Sequence, residues 1–233
     1  IMLKGHPKGL LVAFFANMGE RFSYYTMLAI FVLYLQARFG LSAGSAGDYY
    51  GGFLFGIYFL PILGGIIADR WGYGRTITWG ILIAFLGKII LTIPGYAQGL
   101  FDMQWELVII IISLAVISLG TGLFKGNLQA LVGKLYDYPE YAPQRDNAFN
   151  IFYMGINIGA FLAPYAATGA VKYVLGKQGF SYENSMPHLA NLQEKAHPFL
   201  DQMIGTVQSH FSGALHYTDK IEAFKNQMGF DGS

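Results

Sequence analysis

The chain has 233 residues, of which 54% are hydrophobic and only 12% charged, and a soluble domain of this length has no interior large enough for so much apolar surface. Lipid is therefore expected to form part of its solvent. The formal net charge of +1 argues against a nucleic-acid partner, and the absence of cysteine excludes disulfides and thiolate metal sites.

Five segments are apolar and long enough to cross a membrane as helices, which takes about 20 residues at about 1.5 Å per residue. They are residues 10–36, 49–68, 76–94, 107–133 and 148–171. Lys and Arg cluster before the first segment, between the second and third, and between the fourth and fifth, which predicts that these loops and the N-terminus are cytoplasmic. The pattern predicts an all-α, multi-pass membrane protein with a transmembrane bundle over residues 1–171.

The first segment carries charge near its middle, where Glu20 and Arg21 are costly to insert unless they meet partners or water. Asn17, Glu20, Arg21 and Tyr24 follow i, i+3, i+4, i+7 spacing and share one stripe of a helix, with Tyr25 at its edge. One interpretation is a buried structural ion pair between helices. Charge at this depth is more typical of a transport pathway, so we expect the stripe to line one.

A turn rich in glycine and charge joins the second and third segments. Residues 64–75 read GGIIADRWGYGR and include Gly65, Asp69, Arg70 and Arg75. An ordinary positive-inside turn explains the arginines but not the glycines. Gly64 and Gly65 are also small enough to let two helices approach closely.

Two lysines lie inside later segments. The ammonium group of Lys125 could meet Glu20 across a bundle or snorkel to the membrane interface. The apolar pattern continues past Lys125, which favours the bundle interior. Lys88 in the third segment has the same two interpretations, and neither is favoured.

The fifth segment contains Asn157, an amide in an otherwise apolar run that suits a bond to another helix as well as a bond to a substrate. Several tyrosines also lie within the spans, namely Tyr24, Tyr25, Tyr58 and Tyr153. Together with Arg21 and Lys125 they predict a cationic, aromatic pocket rich in hydrogen-bonding groups. Such a pocket suits a zwitterion or a small anion.

Residues 172–233 contain most of the histidines and many charges, and Pro187 and Pro198 interrupt them. Apolar residues recur at three- and four-residue spacing over 192–215, which predicts an amphipathic helical insert outside the cytoplasm. The histidines share no helical turn, so no metal site is expected. Because the chain opens at Ile1 and an exterior segment follows an odd number of spans, we expect it to be a piece of a longer protein in which a sixth span follows.

Four of these stretches resemble signatures of the proton-coupled oligopeptide transporters, a family of the major facilitator superfamily. They are residues 20–25 (ERFSYY), the 65–75 turn, residues 122–125 (GLFK) and residues 152–159 (FYMGINIG). The resemblance covers roughly residues 5–171. It implies the first five helices of an N-terminal six-helix bundle, in a carrier of the cell membrane that moves di- and tripeptides together with protons and needs no cofactor.

The resemblance also implies roles for single residues. Two cations are expected to face the peptide carboxylate, namely Arg21 and Lys125. Four polar side chains are expected to contact the peptide backbone, namely Tyr24, Tyr25, Tyr58 and Asn157. Glu20 is expected to exchange partners with Lys125 as it takes up a proton. A gating loop is expected from Gly65, Asp69, Arg70 and Arg75.

Two departures from the family motif bear on mechanism. Asn17 stands where the motif Glu-x-x-Glu-Arg has its first carboxylate, and an amide cannot titrate. Coupling then uses Glu20 alone, uses another site or is weak. Gly126 stands where the family usually has proline after the lysine, which changes local helix stiffness more than chemistry.

Three other functions are open to the same residues. A carrier of the same fold could move a different small anion, such as nitrate or a conjugated metabolite. A receptor or scaffold would bind without moving solute, but it does not explain charge at membrane depth. An enzyme is not expected, because the spans show no nucleophile paired with a base and no metal-binding set.

Overall fold

The computed structural model describes residues 5–96 and 101–177, and these form five long helices. In chain order they are α1 (Lys8–Phe39), α2 (Ala43–Trp71), α3 (Tyr73–Tyr96), α4 (Met103–Leu135) and α5 (Arg145–Lys177). A short 3-10 helix, Ala142–Gln144, precedes α5. The all-α prediction is confirmed. The predicted insert lies outside the described residues from residue 178 onward.

Each predicted segment lies within one helix, and every helix extends a few residues further at both ends. The added residues include charged ones, such as Lys8 in α1 and Asp69 and Arg70 in α2. The length of an apolar run in the sequence indicates only the part of a helix that lies in the hydrocarbon core. A helix continues into the interface, where polar side chains are well solvated.

Four of the described helices are apolar and long enough to cross a membrane: α2, α3, α4 and the helical stretch over α5. The chain is therefore a multi-pass membrane protein. The sequence predicts five such helices, and all five are present as long helices; α1, with 32 residues, is not among the four that meet the apolarity criterion. The polar stripe that includes Glu20 and Arg21 lowers its apolarity, so membrane crossing by α1 stays a prediction.

The chain divides into two units. The first comprises Ile1–Tyr25 and Tyr49–Ala163 and contains all of α3 and α4. Every residue predicted for the functional site belongs to this first unit. The described residues of the second unit lie in 26–48 and 164–177. Within the second unit Gly40, with φ of 60°, follows α1, and Ser42 caps α2 by accepting a hydrogen bond at Oγ from the Ser45 backbone N–H.

Glycines bring the helices of the first unit close together. A Cβ atom on Gly120 of α4 would lie 2.7 Å from Cα of Ala84 in α3. A Cβ atom on Gly122 would lie 2.9 Å from the backbone carbon of Leu60 in α2. The prediction that Gly64 permits close packing agrees with its contact with Gly122, whereas Gly65 has open space around it. These approaches hold α4 tightly against α2 and α3.

One end of the first unit contains the starts of α1, α3 and α5 and the ends of α2 and α4. We call it the basal end, and an apolar core lies there. Its members include Leu10, Val132, Tyr136, Ala148 and Ile151, all at most 3% exposed. Residues from α1, α4 and α5 therefore pack around one centre. This packing fixes the lower part of α1 beneath its polar stripe.

Candidate functional site

The polar stripe of α1 is buried in the first unit. Asn17 and Arg21 are each 6% exposed, and Tyr24 is 7% exposed. Phe15 and Phe22, on other faces of α1, are 53% and 36% exposed. The polar side chains of the stripe therefore turn toward the neighbouring helices, and the two phenylalanines turn away from them.

Arg21 is held on three sides. Its Nε donates a short hydrogen bond to the carboxylate of Glu20, and its Cζ lies 5.2 Å from the ring centroid of Tyr24. On α5, Gly159 leaves room for this contact, since a Cβ atom there would lie 3.3 Å from Cβ of Arg21. Glu20 and Arg21 therefore form an ion pair between chain neighbours, and Tyr24 receives the cation on its face.

Two buried nitrogens of the stripe have no hydrogen-bond partner among the described residues. They are Nη2 of Arg21 and Nδ2 of Asn17. A buried donor left unpaired costs about 1–3 kcal/mol, more when it is charged. Both groups lie on one helix face, one turn apart, so an oxygen-rich partner placed there can accept from both.

Lys125 lies on α4 and is half-buried, with Nζ 4.3 Å from the ring centroid of Tyr58 on α2. Tyr58 is 65% exposed. The ammonium group of Lys125 therefore lies over an aromatic face, and its pairing with Glu20 stays a prediction. Lys125 and Lys88 both interact electrostatically with Glu20 and Arg21.

We call Glu20, Arg21, Lys88 and Lys125 the cationic cluster. Three cations against one carboxylate leave it a formal excess of two positive charges. Lys88 joins it from α3, where it is half-buried and follows Gly87, whose close packing on Ile117 brings α3 against α4. An excess of positive charge away from bulk water attracts an anion.

The remaining predicted ligands differ in exposure. The ring of Tyr25 is half-buried with its centroid 5.1 Å from that of Tyr24, whereas Asn157 on α5 is exposed. The bond between helices considered for Asn157 is made instead by Asn127, whose Nδ2 donates to the Gly64 carbonyl at 2.9 Å. Sequence reasoning missed Asn127, although a polar amide beside Lys125 in an apolar helix was a signal.

The predicted gating turn is a tight connection between α2 and α3. Gly72 has φ of 89°, a conformation that favours glycine and lets α3 begin directly after α2. Asp69, Arg70 and Arg75 are exposed at the basal end. The Asp69 carboxylate accepts a hydrogen bond at 2.8 Å from the hydroxyl of Tyr73, a residue that sequence reasoning did not single out.

A second missed group ties the segment before α1 to the ends of α4 and α5. His6 Nδ1 and the Tyr136 hydroxyl are 2.6 Å apart, and Asn147 lies 3.4 Å from the other ring nitrogen. Burial raises the pKa of the Tyr136 hydroxyl, so it keeps its proton at neutral pH. These groups are far apart in sequence, and no pattern in the sequence indicates that they meet.

Residues 5–96 and 101–177 contain no group of three His, Cys, Asp or Glu side chains that could hold a metal ion. Arg21, Lys88 and Lys125 are three cations that electrostatics would make attractive to an anion. The aromatic faces and exposed amide of the site can contact the rest of a small polar solute.

Comparisons with known proteins show which transporters the chain resembles. Residues 74–183 match the family model described as PTR2: POT family. An uncharacterised transporter YclF of Bacillus subtilis is 39% identical over 169 residues, which is 69% of this chain and 31% of the relative. A di-/tripeptide transporter of Lactococcus lactis is 39% identical over 173 residues, with the same two shares. The chain thus spans about a third of the length of these relatives.

Solved structures give the same result. One match is the crystal structure of a mutant peptide transporter POT in complex with sulfate, whose sequence is 41% identical. The match covers 70% of this chain and 32% of the transporter chain, with a TM-score of 0.58. The match supports the major facilitator fold expected from the resemblance. These relatives are transporters rather than enzymes. The chain is thus similar to the POT family over residues 74–183, and to named peptide transporters over about 70% of its length.

Proposed function

We propose that the chain is part of a carrier of di- and tripeptides and that its cationic cluster binds the peptide carboxylate. The observation that carries this proposal is the buried Arg21, whose Nη2 has no partner among the described residues. A carboxylate can accept from a guanidinium group in a planar, two-point arrangement that a lysine cannot reproduce. Lys125 and Lys88 add charge to the same site.

The other ligands of the peptide are drawn from exposed and half-buried groups near the cluster. Tyr25, Tyr58 and Asn157 offer hydroxyl and amide groups, and Tyr24 holds the guanidinium of Arg21. Relatives named as di-/tripeptide transporters and as dipeptide and tripeptide permeases support peptides as the substrate class. Short peptides vary in their side chains but share a carboxylate and amides, which are the groups this set can recognise.

Coupling to protons is assigned to Glu20. It is the carboxylate of the cationic cluster, and protonation would release Arg21 from the ion pair for substrate binding. The amide of Asn17 cannot take part in proton transfer. We expect Glu20→Gln to abolish accumulation driven by an inward proton gradient while peptide exchange persists. Accumulation at the wild-type level in this variant would contradict the assignment.

Orientation follows from the short loops. We assign the basal end, with Lys8, Arg70, Arg75 and Arg145, to the cytoplasm of a cell-membrane protein in a lipid bilayer. The turn with Gly65, Asp69, Arg70 and Arg75 then lies at the cytoplasmic face. There we assign it the role of a gate that stabilises the state closed to the cytoplasm during alternating access.

The experiment is uptake of a labelled dipeptide by the full-length protein in liposomes, with and without an inward proton gradient. Accumulation that follows the gradient is the expected result. Equilibration without accumulation would contradict proton coupling but keep the substrate class. No peptide uptake would contradict the proposal as a whole.

A second candidate is transport of another small anion, favoured by the formal excess of two positive charges in the cationic cluster. That excess recognises charge and does not by itself require a peptide. Competition separates the two candidates. Inhibition of dipeptide uptake by tripeptides but not by nitrate supports the peptide carrier, and strong inhibition by nitrate alone supports the alternative.

A further inference from the structure

Tyr73, the first residue of α3, lies between two charged groups at the basal end. Its hydroxyl donates to Oδ1 of Asp69, one turn earlier at the end of α2, at 2.8 Å. Its ring faces Lys134 of α4, whose Nζ lies 4.2 Å from the ring centroid. One side chain therefore connects the ends of α2, α3 and α4.

The hydrogen bond fixes a carboxylate that is otherwise free to move. Asp69 is exposed, and an exposed aspartate samples several rotamers in water. A donor at the N-terminus of α3 holds the carboxylate near the positive end of that helix. Gly72, with its positive φ, sets the turn geometry that brings Tyr73 back to Asp69.

The cation on the ring acts on the same hydrogen bond. A positive charge over an aromatic face is attracted by its electrons and polarises the phenol. A polarised hydroxyl is a stronger donor, because linked polar interactions reinforce one another. Lys134 is also near the C-terminus of α4, where its charge is favoured by the helix dipole.

We propose that Tyr73 is the positioning residue of the gate and that Lys134 strengthens its hold on Asp69. This inference rests on the proposed role of the α2–α3 turn as the cytoplasmic gate. Tyr73 sets the direction in which the Asp69 carboxylate is presented. Loss of its hydroxyl therefore weakens the closed state without touching the peptide site.

The test is a double-mutant cycle in the full-length protein, measured as the maximal rate of dipeptide uptake into liposomes. The variants are Asp69→Ala, Tyr73→Phe and the pair together, with Tyr138→Phe as the matched control. Tyr138 is exposed at the basal end. Tyr73→Phe keeps the ring for Lys134 and removes only the hydroxyl.

We expect Tyr73→Phe to lower the maximal rate about fivefold, as for loss of one ordinary, solvent-exposed hydrogen bond. Equilibrium affinity for the dipeptide should stay within about twofold of wild type. The melting temperature should stay within a few degrees of wild type. In the Asp69→Ala background Tyr73→Phe should have no further effect. Lys134→Gln should lower the rate less than Tyr73→Phe, and Lys134→Arg should restore it.

The outcomes separate this inference from the gate itself. A wild-type rate in Asp69→Ala would overturn the gate and the inference together. A slow Asp69→Ala with a wild-type Tyr73→Phe would overturn only the role of Tyr73. Additive effects of the two substitutions would also overturn it, because the tyrosine would then act independently of Asp69.

Discussion

The cationic cluster and the basal end of the first unit differ in how their polar groups are satisfied. At the basal end, Asp69 is bonded to Tyr73, Lys134 lies on the Tyr73 ring and Tyr136 is paired with His6. In the cluster, Arg21 has a buried nitrogen without a partner among the described residues, and positive charge exceeds negative charge. Satisfied groups hold a structure, whereas unsatisfied buried groups are prepared for a ligand.

The scaffold that supports both regions gives the largest expected effect. A Cβ atom on Gly120 would lie 2.6 Å from the Gly80 carbonyl oxygen, so Gly120→Ala must push α3 and α4 apart. We expect a loss of about 2 kcal/mol of stability, as for overpacking of a core. Thermal unfolding of the purified full-length protein measures it. Gly126→Ala, whose Cβ would lie 3.9 Å from Pro61, is the control, and equal stability of the two variants would contradict the packing argument.

A carboxylate placed in the cluster should remove the difference between the two regions. Asn17→Asp puts an acid one helical turn before Arg21, where it can accept from the unpaired nitrogen and reduce the excess of positive charge. We expect dipeptide affinity to fall about tenfold, or about 1.4 kcal/mol. Asn17→Leu, which removes the amide without adding charge, is the control and should change affinity less. An unchanged affinity in Asn17→Asp would show that Arg21 does not need a free nitrogen to bind substrate.

Breaking a pair at the basal end should affect folding rather than binding. Tyr136 is 1% exposed and Tyr136→Phe removes only the hydroxyl that meets His6. We expect a loss of about 1 kcal/mol in stability, with dipeptide affinity unchanged. Tyr138→Phe, on an exposed ring, should leave both quantities unchanged. A fall in affinity with unaltered stability in Tyr136→Phe would contradict the distinction between the two regions.

Sequence reasoning predicted the order of the helices and the face of α1 that carries the polar stripe. Both follow from periodicity, because apolar runs mark the hydrocarbon and the spacing of Asn17, Glu20 and Arg21 fixes a common face. Its placement of Lys125 in the bundle interior stays a prediction, since the side chain is half-buried. The predicted segments were a few residues shorter than the helices at each end, because charged residues at the membrane interface are still helical.

Contacts between distant helices could not be predicted in this way. The pairing of Lys125 with the Tyr58 ring, the Asn127 bond to Gly64 and the Tyr73 link to Lys134 depend on how helices are rotated against each other. Periodicity gives the face of one helix but not its neighbour across the interface. Which nitrogen of Arg21 lacks a partner is likewise a property of packing.

The most direct test of the central claim compares binding of a dipeptide with binding of its C-terminal amide, in the wild-type full-length protein and in Arg21→Lys. The amide has the same backbone but no carboxylate. We predict that the wild-type protein prefers the free dipeptide by about 2 kcal/mol, as expected for a charge-assisted pair, and that Arg21→Lys loses most of this preference. An equal preference in both proteins would remove Arg21 from the carboxylate site and contradict the account.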